Sequence, residues 1–219
     1  MTILFTQYWD VIPGSYDAYS DFVSNEYNPT MSRLGIEVIG GFYVAVGEGP
    51  RIVAVSAVER QENLVNALIQ SDYRIISNKL FQHICNYGNR VWVPSGNIQE
   101  TPYRIQTSAW KFNLYYNVLP GKEKEHYEYV KNECLPGMKS LGVPVTGGWR
   151  LAIGSGPRML AECTGRSIEH IAKAINTSEF RRLTRTLKKN YVTDYSSRIL
   201  APTGRIEVPF IMKEMMKKF

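Results

Sequence analysis

Apolar and polar residues alternate with a period of two from Phe5 to Ile12 and again from Lys111 to Leu119, which predicts a strand in each place. Pro13-Gly14 and Pro120-Gly121 end these strands. Tyr16, Tyr19, Phe22, Val23 and Tyr27 then recur at helical spacing. Ser15 stands where an N-cap belongs, and Asp17 suits the positive end of the helix. Pro29 is expected to kink or interrupt that helix, and Gly35 to terminate it. Glu37–Val46 and Arg51–Val58 read as the strands of a hairpin, with Gly47-Glu48-Gly49-Pro50 as its loop. Two short helices, Gln61–Gln70 and Ser71–Asn86, and a closing strand, Arg90–Pro94, complete the unit. The order is β-α-β-β-α-β with the second helix divided, a split βαβ, ferredoxin-like arrangement.

The unit occurs twice. Gly40-Gly41-Phe42-Tyr43-Val44-Ala45-Val46-Gly47-Glu48-Gly49-Pro50-Arg51 returns 107 residues later as Gly147-Gly148-Trp149-Arg150-Leu151-Ala152-Ile153-Gly154-Ser155-Gly156-Pro157-Arg158. At the same offset Tyr8 meets Tyr115, Pro29 meets Pro136, Leu34-Gly35 meets Leu141-Gly142, and Arg74 meets Arg181. After one inserted residue, Tyr87, Arg90, Pro94 and Gly96 meet Tyr195, Arg198, Pro202 and Gly204. Such a period is too long for a solenoid and marks a duplicated domain. The reading divides the chain into a first repeat, 1–102, a second repeat, 103–208, and a basic C-terminal tail, 209–219.

A four-stranded sheet with helices on one face leaves its other face to be covered. Neither face of Phe42–Val46 reads as solvent-facing, so the sheets of the two repeats are expected to cover each other. The predicted class is α+β: two tandem ferredoxin-like repeats with antiparallel sheets face to face, a pseudo-twofold α/β barrel. The run of aromatic strand, Pro-Gly, amphipathic helix with an internal proline, Gly-Gly-[Phe/Trp] hairpin and split second helix resembles the dimeric α/β-barrel superfamily. It is most similar to NIPSNAP-type members, here fused in tandem over about residues 3–95 and 110–204. The resemblance implies a ligand cavity between helices and sheet. It also implies a choice of activities: cofactor-free monooxygenases, haem-degrading monooxygenases, isomerases and chlorite dismutase-like haem proteins.

Composition narrows this. Hydrophobic residues make up 44% and charged residues 21%, a normal balance for a chain that builds a core. Apolar runs are strand-sized, so no membrane span is expected, and Met1-Thr2-Ile3-Leu4-Phe5-Thr6 does not read as a signal peptide. Cys85, Cys134 and Cys163 are odd in number and widely spaced, which argues against disulfides or structural zinc and for a cytoplasmic setting. Residues 1–102 hold 6 Lys and Arg against 10 Asp and Glu, and the rest of the chain 20 against 10. The basic second half attracts either the first half or an acidic partner. Arg181, Arg182, Arg185, Lys188 and Lys189 form a basic face, but no RNA-binding motif accompanies it and the sheet is expected to be covered, so nucleic acid is not expected. Association into a homo-oligomer is compatible with all of this.

Candidate chemistry centres on the first strand of each repeat. Thr6, Tyr8 and Asp10, and Asn113, Tyr115 and Asn117, are polar residues on a strand that should be buried on both sides. Tyr8, Asp10, Asn113, Tyr115 and Asn117 are therefore candidates to orient a ligand, with Trp149 able to stack on a planar one. The alternative is that they bond to one another or to buried water. Glu26 and Glu133 fall on apolar helix faces, where a carboxylate becomes a base or pairs with an arginine. His126 replaces Tyr19 on the inward face and is either a general base, a haem ligand or a core histidine with one hydrogen bond. His126 and Glu133 are the candidate catalytic pair. No histidine spacing supports a metal site. The expected function is binding or transformation of a small organic molecule, aromatic ones included, without a tightly held metal. A scaffold or interaction module and a haem-binding protein are the alternatives.

Overall fold

In the computed structural model, which describes residues 2–96, 98 and 108–203, strand β1 (Ile3–Val11) lies between β3 (Ile52–Val58) and β4 (Ile84–Pro94). Strand β2 (Glu37–Val46) pairs with the far side of β3. The second repeat copies this: β5 (Trp110–Val118) lies between β7 (Met159–Gly165) and β8 (Val192–Pro202), with β6 (Val145–Ile153) beyond β7. The outer edges pair across the pseudo-twofold axis. β2 is antiparallel to β8, with Val44 opposite Leu200, and β4 to β6, with Trp92 opposite Leu151. The eight described strands form a closed barrel in the order β1-β3-β2-β8-β5-β7-β6-β4, so none of them has an unpaired edge. The expected α+β barrel of two ferredoxin-like repeats is the architecture found, and hydrogen bonds at two seams close it.

The period-two pattern sorts the core into three layers. Leu4, Thr6 and Tyr8 of β1 face the barrel interior, together with Phe42, Val44, Val55, Trp92, Tyr115, Trp149 and Leu200. Phe5, Trp9 and Val11 face the helices of the first repeat. These helices are α1 (Tyr16–Phe22), α2 (Asn28–Arg33), α3 (Gln61–Leu68) and α4 (Ser71–Leu80). The second repeat has its own layer under α5 (Glu123–Tyr129), α6 (Leu135–Ser140), α7 (Ile168–Ile175) and α8 (Ser178–Asn190).

Three local expectations change. The prolines do not break their helices: a π turn, Val23–Tyr27 in one repeat and Val130–Cys134 in the other, precedes each and carries the helix through. A wider turn relieves the clash between the proline ring and the preceding carbonyls. Ser15 stands at the N-cap position but its side chain makes no capping hydrogen bond. The second helix of the first repeat stops at Leu80, and β4 starts at Ile84, opposite Val11, well before the expected Arg90. The segment 209–219 lies outside the described residues.

The repeated hairpins have a reason to be alike. Gly47 and Gly49 lie against Arg198 of the other repeat, and Gly154 and Gly156 lie against Arg90. All four have φ between +95° and +124°, and a Cβ at Gly47 would come within 2.9 Å of the Ser197 carbonyl oxygen. Each hairpin thus clasps the other repeat beside a seam. Gly47→Ala is expected to cost about 1–3 kcal/mol of stability in chemical denaturation, since strain and a backbone clash combine. Gly14→Ala, at φ +86° with open space around it, should cost less.

Candidate functional site

The helix layers of the two repeats differ where their scaffolds agree. In the first, Trp9 Nε1 donates to the Tyr19 hydroxyl at 3.0 Å, the Tyr27 hydroxyl donates to Gln7 Oε1 at 2.9 Å, and Gln7 Nε2 donates to the Tyr87 hydroxyl at 2.9 Å. Trp9 also stacks on Tyr87 at 6.4 Å between ring centroids. Large side chains fill the space and satisfy one another.

In the second repeat the matching positions carry Tyr116 for Trp9, His126 for Tyr19, Cys134 for Tyr27 and Leu114 for Gln7. Three aromatic side chains become smaller and the hydrogen-bonding Gln is gone. A cavity of about 50 Å³ opens among Leu114, Tyr116, His126, Cys134, Met138 and Leu183, and its lining reaches Ser95 and Ile98. His126 is 4% exposed, and its Nε2 has no hydrogen-bond partner among the described residues. Burial lowers its pKa from the ordinary 6.5, so the imidazole is neutral. Its ring lies 5.5 Å from that of Tyr116. Burial also keeps the Tyr116 phenol protonated, its pKa raised well above 10, and pushes the Cys134 thiol up to about 12. The cavity therefore presents a neutral nitrogen base, a phenol and an un-ionised thiol in apolar walls.

Of the residues expected to act on a ligand, only His126 lies there. Glu133 sits on the π turn, where the extra residue upsets the helical spacing, and its carboxylate is half exposed and bonded to Arg182 at 3.1 Å. It does not reach the cavity. Glu26 is likewise taken by Lys79 at 2.6 Å.

Tyr8, Asn113, Tyr115 and Trp149 face the barrel interior, on the opposite side of the sheet from His126. Their partners are one another and the strands. Asn113 Nδ2 donates to the Tyr115 hydroxyl at 3.3 Å, and Trp149 Nε1 donates to Glu162 Oε2 at 2.8 Å. Glu162 also pairs with Lys111 Nζ at 2.6 Å, both side chains only 4% exposed. This internal ion pair was not anticipated. Its signal was in the alignment, where Lys111 and Glu162 replace Leu4 and Val55 as opposite charges appearing together.

Asp10 and Asn117 leave the Tyr8 and Tyr115 face because a bulge intervenes in each strand. Both act as clamps at the barrel rim. Asp10 accepts from the Arg51 backbone N–H at 2.8 Å and from Asn86 Nδ2 at 2.9 Å. Asn117 accepts from the Arg158 backbone N–H at 2.7 Å and donates to Asp194 Oδ2 at 2.7 Å. Carboxylate and amide have changed places between the repeats, and the clamp geometry is kept. Asn86 and Asp194 hold positive φ, 53° and 52°, which Asn and Asp tolerate.

No family model matches the chain, and no curated protein matches it. Solved structures do. A haem-binding protein from Thermus thermophilus superposes with a TM-score of 0.63 at 10% identity, covering 99% of this chain and 95% of that one. A Fusobacterium nucleatum protein provisionally assigned as a monooxygenase gives 0.62 at 14% identity, covering 92% of each. The fold is that of the dimeric α/β barrels. A NIPSNAP family protein from Agrobacterium tumefaciens matches with a TM-score of 0.39 at 16% identity, covering 48% of this chain and 100% of that one.

Haem, which some dimeric α/β barrels carry, can be tested against these residues. The unpartnered His126 Nε2 has the donor chemistry, but the enclosed space beside it is about 50 Å³. Pockets for drug-sized molecules are roughly 300–1,000 Å³, and a haem needs no less, so it does not fit beside His126. His83 stacks on Phe22 at 5.3 Å, which occupies one face of its ring. Among the described residues no group of three or more His, Cys, Asp or Glu is placed to hold a metal ion. No helix of the described residues is long and apolar enough to cross a membrane.

Two outcomes follow from these contacts. Asn117→Asp sets two carboxylates against each other and should cost about 1–2 kcal/mol at pH 7 in a denaturant titration. Adding Asp194→Asn recreates the first repeat's clamp and should recover most of that loss, as a double-mutant cycle would show. For His126, the unfolded chain binds more protons than the folded one between the depressed pKa and 6.5, so stability falls as pH drops through that window. His126→Phe should shrink the fall in Tm between pH 8 and pH 5. An unchanged fall would show that His126 titrates freely in the folded state.

Proposed function

We propose that the protein binds a small, largely apolar organic molecule in the second-repeat cavity, with His126 as the group that acts on it. The observation that carries this reading is the contrast between layers. In one, Trp9, Tyr19, Tyr27 and Gln7 fill the matching positions and bond to one another; the other has a cavity beside a buried histidine whose Nε2 lacks a partner among the described residues. An orphaned polar atom in an apolar wall costs stability, and such sites persist where a ligand completes them. The cavity of about 50 Å³, with Ser95 and Ile98 in its wall, takes the edge of a single small ring.

The chemistry offered is proton transfer. Neutral His126 Nε2 can accept a proton from a weakly acidic C–H or phenolic O–H, leaving an enolate or phenolate to which the protonated Tyr116 hydroxyl would donate a hydrogen bond. Returning that proton to another carbon is an isomerisation that balances with no redox partner. A monooxygenase reaction would begin with the same proton removal and need dioxygen as co-substrate. The monooxygenase assignment of the Fusobacterium nucleatum protein is in keeping with that course. The substrate is thus a small carbon acid or phenol. Three cysteines with no disulfide among them suit a reducing, cytoplasmic setting.

Titration with phenol, a small weakly acidic ring, tests the reading. The chain should bind it saturably and shift the NMR methyl signal of Met138. His126→Tyr combined with Cys134→Tyr installs the first repeat's side chains and should weaken binding at least tenfold, while Tyr8→Phe in the barrel interior leaves it unchanged. Equal binding by the filled variant would place the ligand elsewhere.

A further inference from the structure

The barrel interior holds a second, separate space. A chamber of about 20 Å³ lies among Arg90, Arg198, Asn113, Tyr8, Tyr115 and the Lys111–Glu162 pair. Among the described residues its charges do not balance. Glu162 is engaged by Lys111 and Trp149, while Arg90 and Arg198 have no carboxylate partner among the described residues. The two guanidinium carbons stand 5.9 and 5.6 Å from the Tyr115 ring centroid. Both groups lie against hairpin glycines of the opposite repeat: a Cβ at Gly156 would lie 2.7 Å from Arg90 Nη2 and one at Gly49 would lie 2.6 Å from Arg198 Nη2. Two further atoms lack partners among the described residues: Arg90 Nε, a donor, and Asn113 Oδ1, on a side chain that is 4% exposed.

We propose that this chamber binds one small monovalent anion of chloride size, held between Arg90 and Arg198 and contacted by the Asn113 amide. Two cations projecting into one interior repel each other and lose hydration, and an anion between them answers both costs. The Asn113 amide can turn over without changing shape. Turned, its oxygen accepts from the Tyr115 hydroxyl and its Nδ2 points a donor at the anion, so the orphaned oxygen disappears. The chamber exceeds the ~10–15 Å³ that a single water needs, but a polyatomic organic anion is too large for it. Arg90 and Arg198 come from different repeats and reach in beside the two seams, so the ion would tie the halves together. This site is independent of the His126 cavity.

Melting curves at fixed ionic strength test the assignment, with sodium chloride, sodium bromide or sodium gluconate as the salt. Chloride and bromide should raise Tm saturably over gluconate, by about 3–5 °C at tenfold excess over Kd. Asn113→Leu and, separately, Arg198→Gln should abolish the difference. Crystals grown in bromide should show one anomalous peak between the two guanidinium groups. Equal Tm in all three salts, an undiminished chloride effect in both variants, or a chamber holding only water would each overturn the proposal.

Discussion

Closure of the sheet at two seams is the constraint on which the rest of this structure depends. A lone ferredoxin-like sheet has two open edges and one uncovered apolar face. Here β2–β8 and β4–β6 pairing removes the edges, and the same closure buries Leu4, Phe42, Val44, Trp92, Trp149 and Leu200 inside the barrel. The hairpins reinforce each seam by lying on an arginine of the opposite repeat, in a contact that only glycine permits at those dihedral angles. The contact is reciprocal, and the two hairpins carry the same glycines, while the helix layers differ at Trp9/Tyr116, Tyr19/His126 and Tyr27/Cys134.

That division explains how one chain can be symmetric in scaffold and asymmetric in chemistry. Each helix layer packs on the outside of its own half of the barrel. A layer can therefore lose volume without opening the seams. The second repeat has done so at Tyr116, His126 and Cys134, and the space appears beside the one replacement that carries a base. The interior has diverged in its own way, exchanging Leu4 and Val55 for the Lys111–Glu162 pair. Removing one member of such a buried pair is more damaging than never having had it, which keeps the two residues together.

The fold was legible because duplication supplies its own register. Gly, Pro and apolar positions agree at a fixed offset, and strand and helix periods differ enough to be told apart. His126 stood out for the same reason, as a polar residue where the other repeat has an aromatic one. The places of Asp10, Asn117 and Glu133 depend on features that leave no simple periodic trace. A bulge after Tyr8 and after Tyr115 turns Asp10 and Asn117 to the rim, and a π turn moves Glu133 off the apolar face. The polar side of β1 and β5 turned out to face the lumen and not the helices, which sequence alternation alone cannot decide. Reading the offset pairs as packing partners, Trp9 with Tyr19 and Tyr116 with His126, would have located the cavity from sequence.

Xenon tests the central claim most directly, because it enters apolar cavities and reports them without regard to chemistry. Crystals pressurised with xenon should show an atom in the second repeat between His126, Leu114 and Met138, and none between Trp9, Tyr19 and Tyr27 of the first. Xenon in both layers, or in the first alone, would contradict the account that the differences at these three positions open a cavity in one helix layer and not in the other.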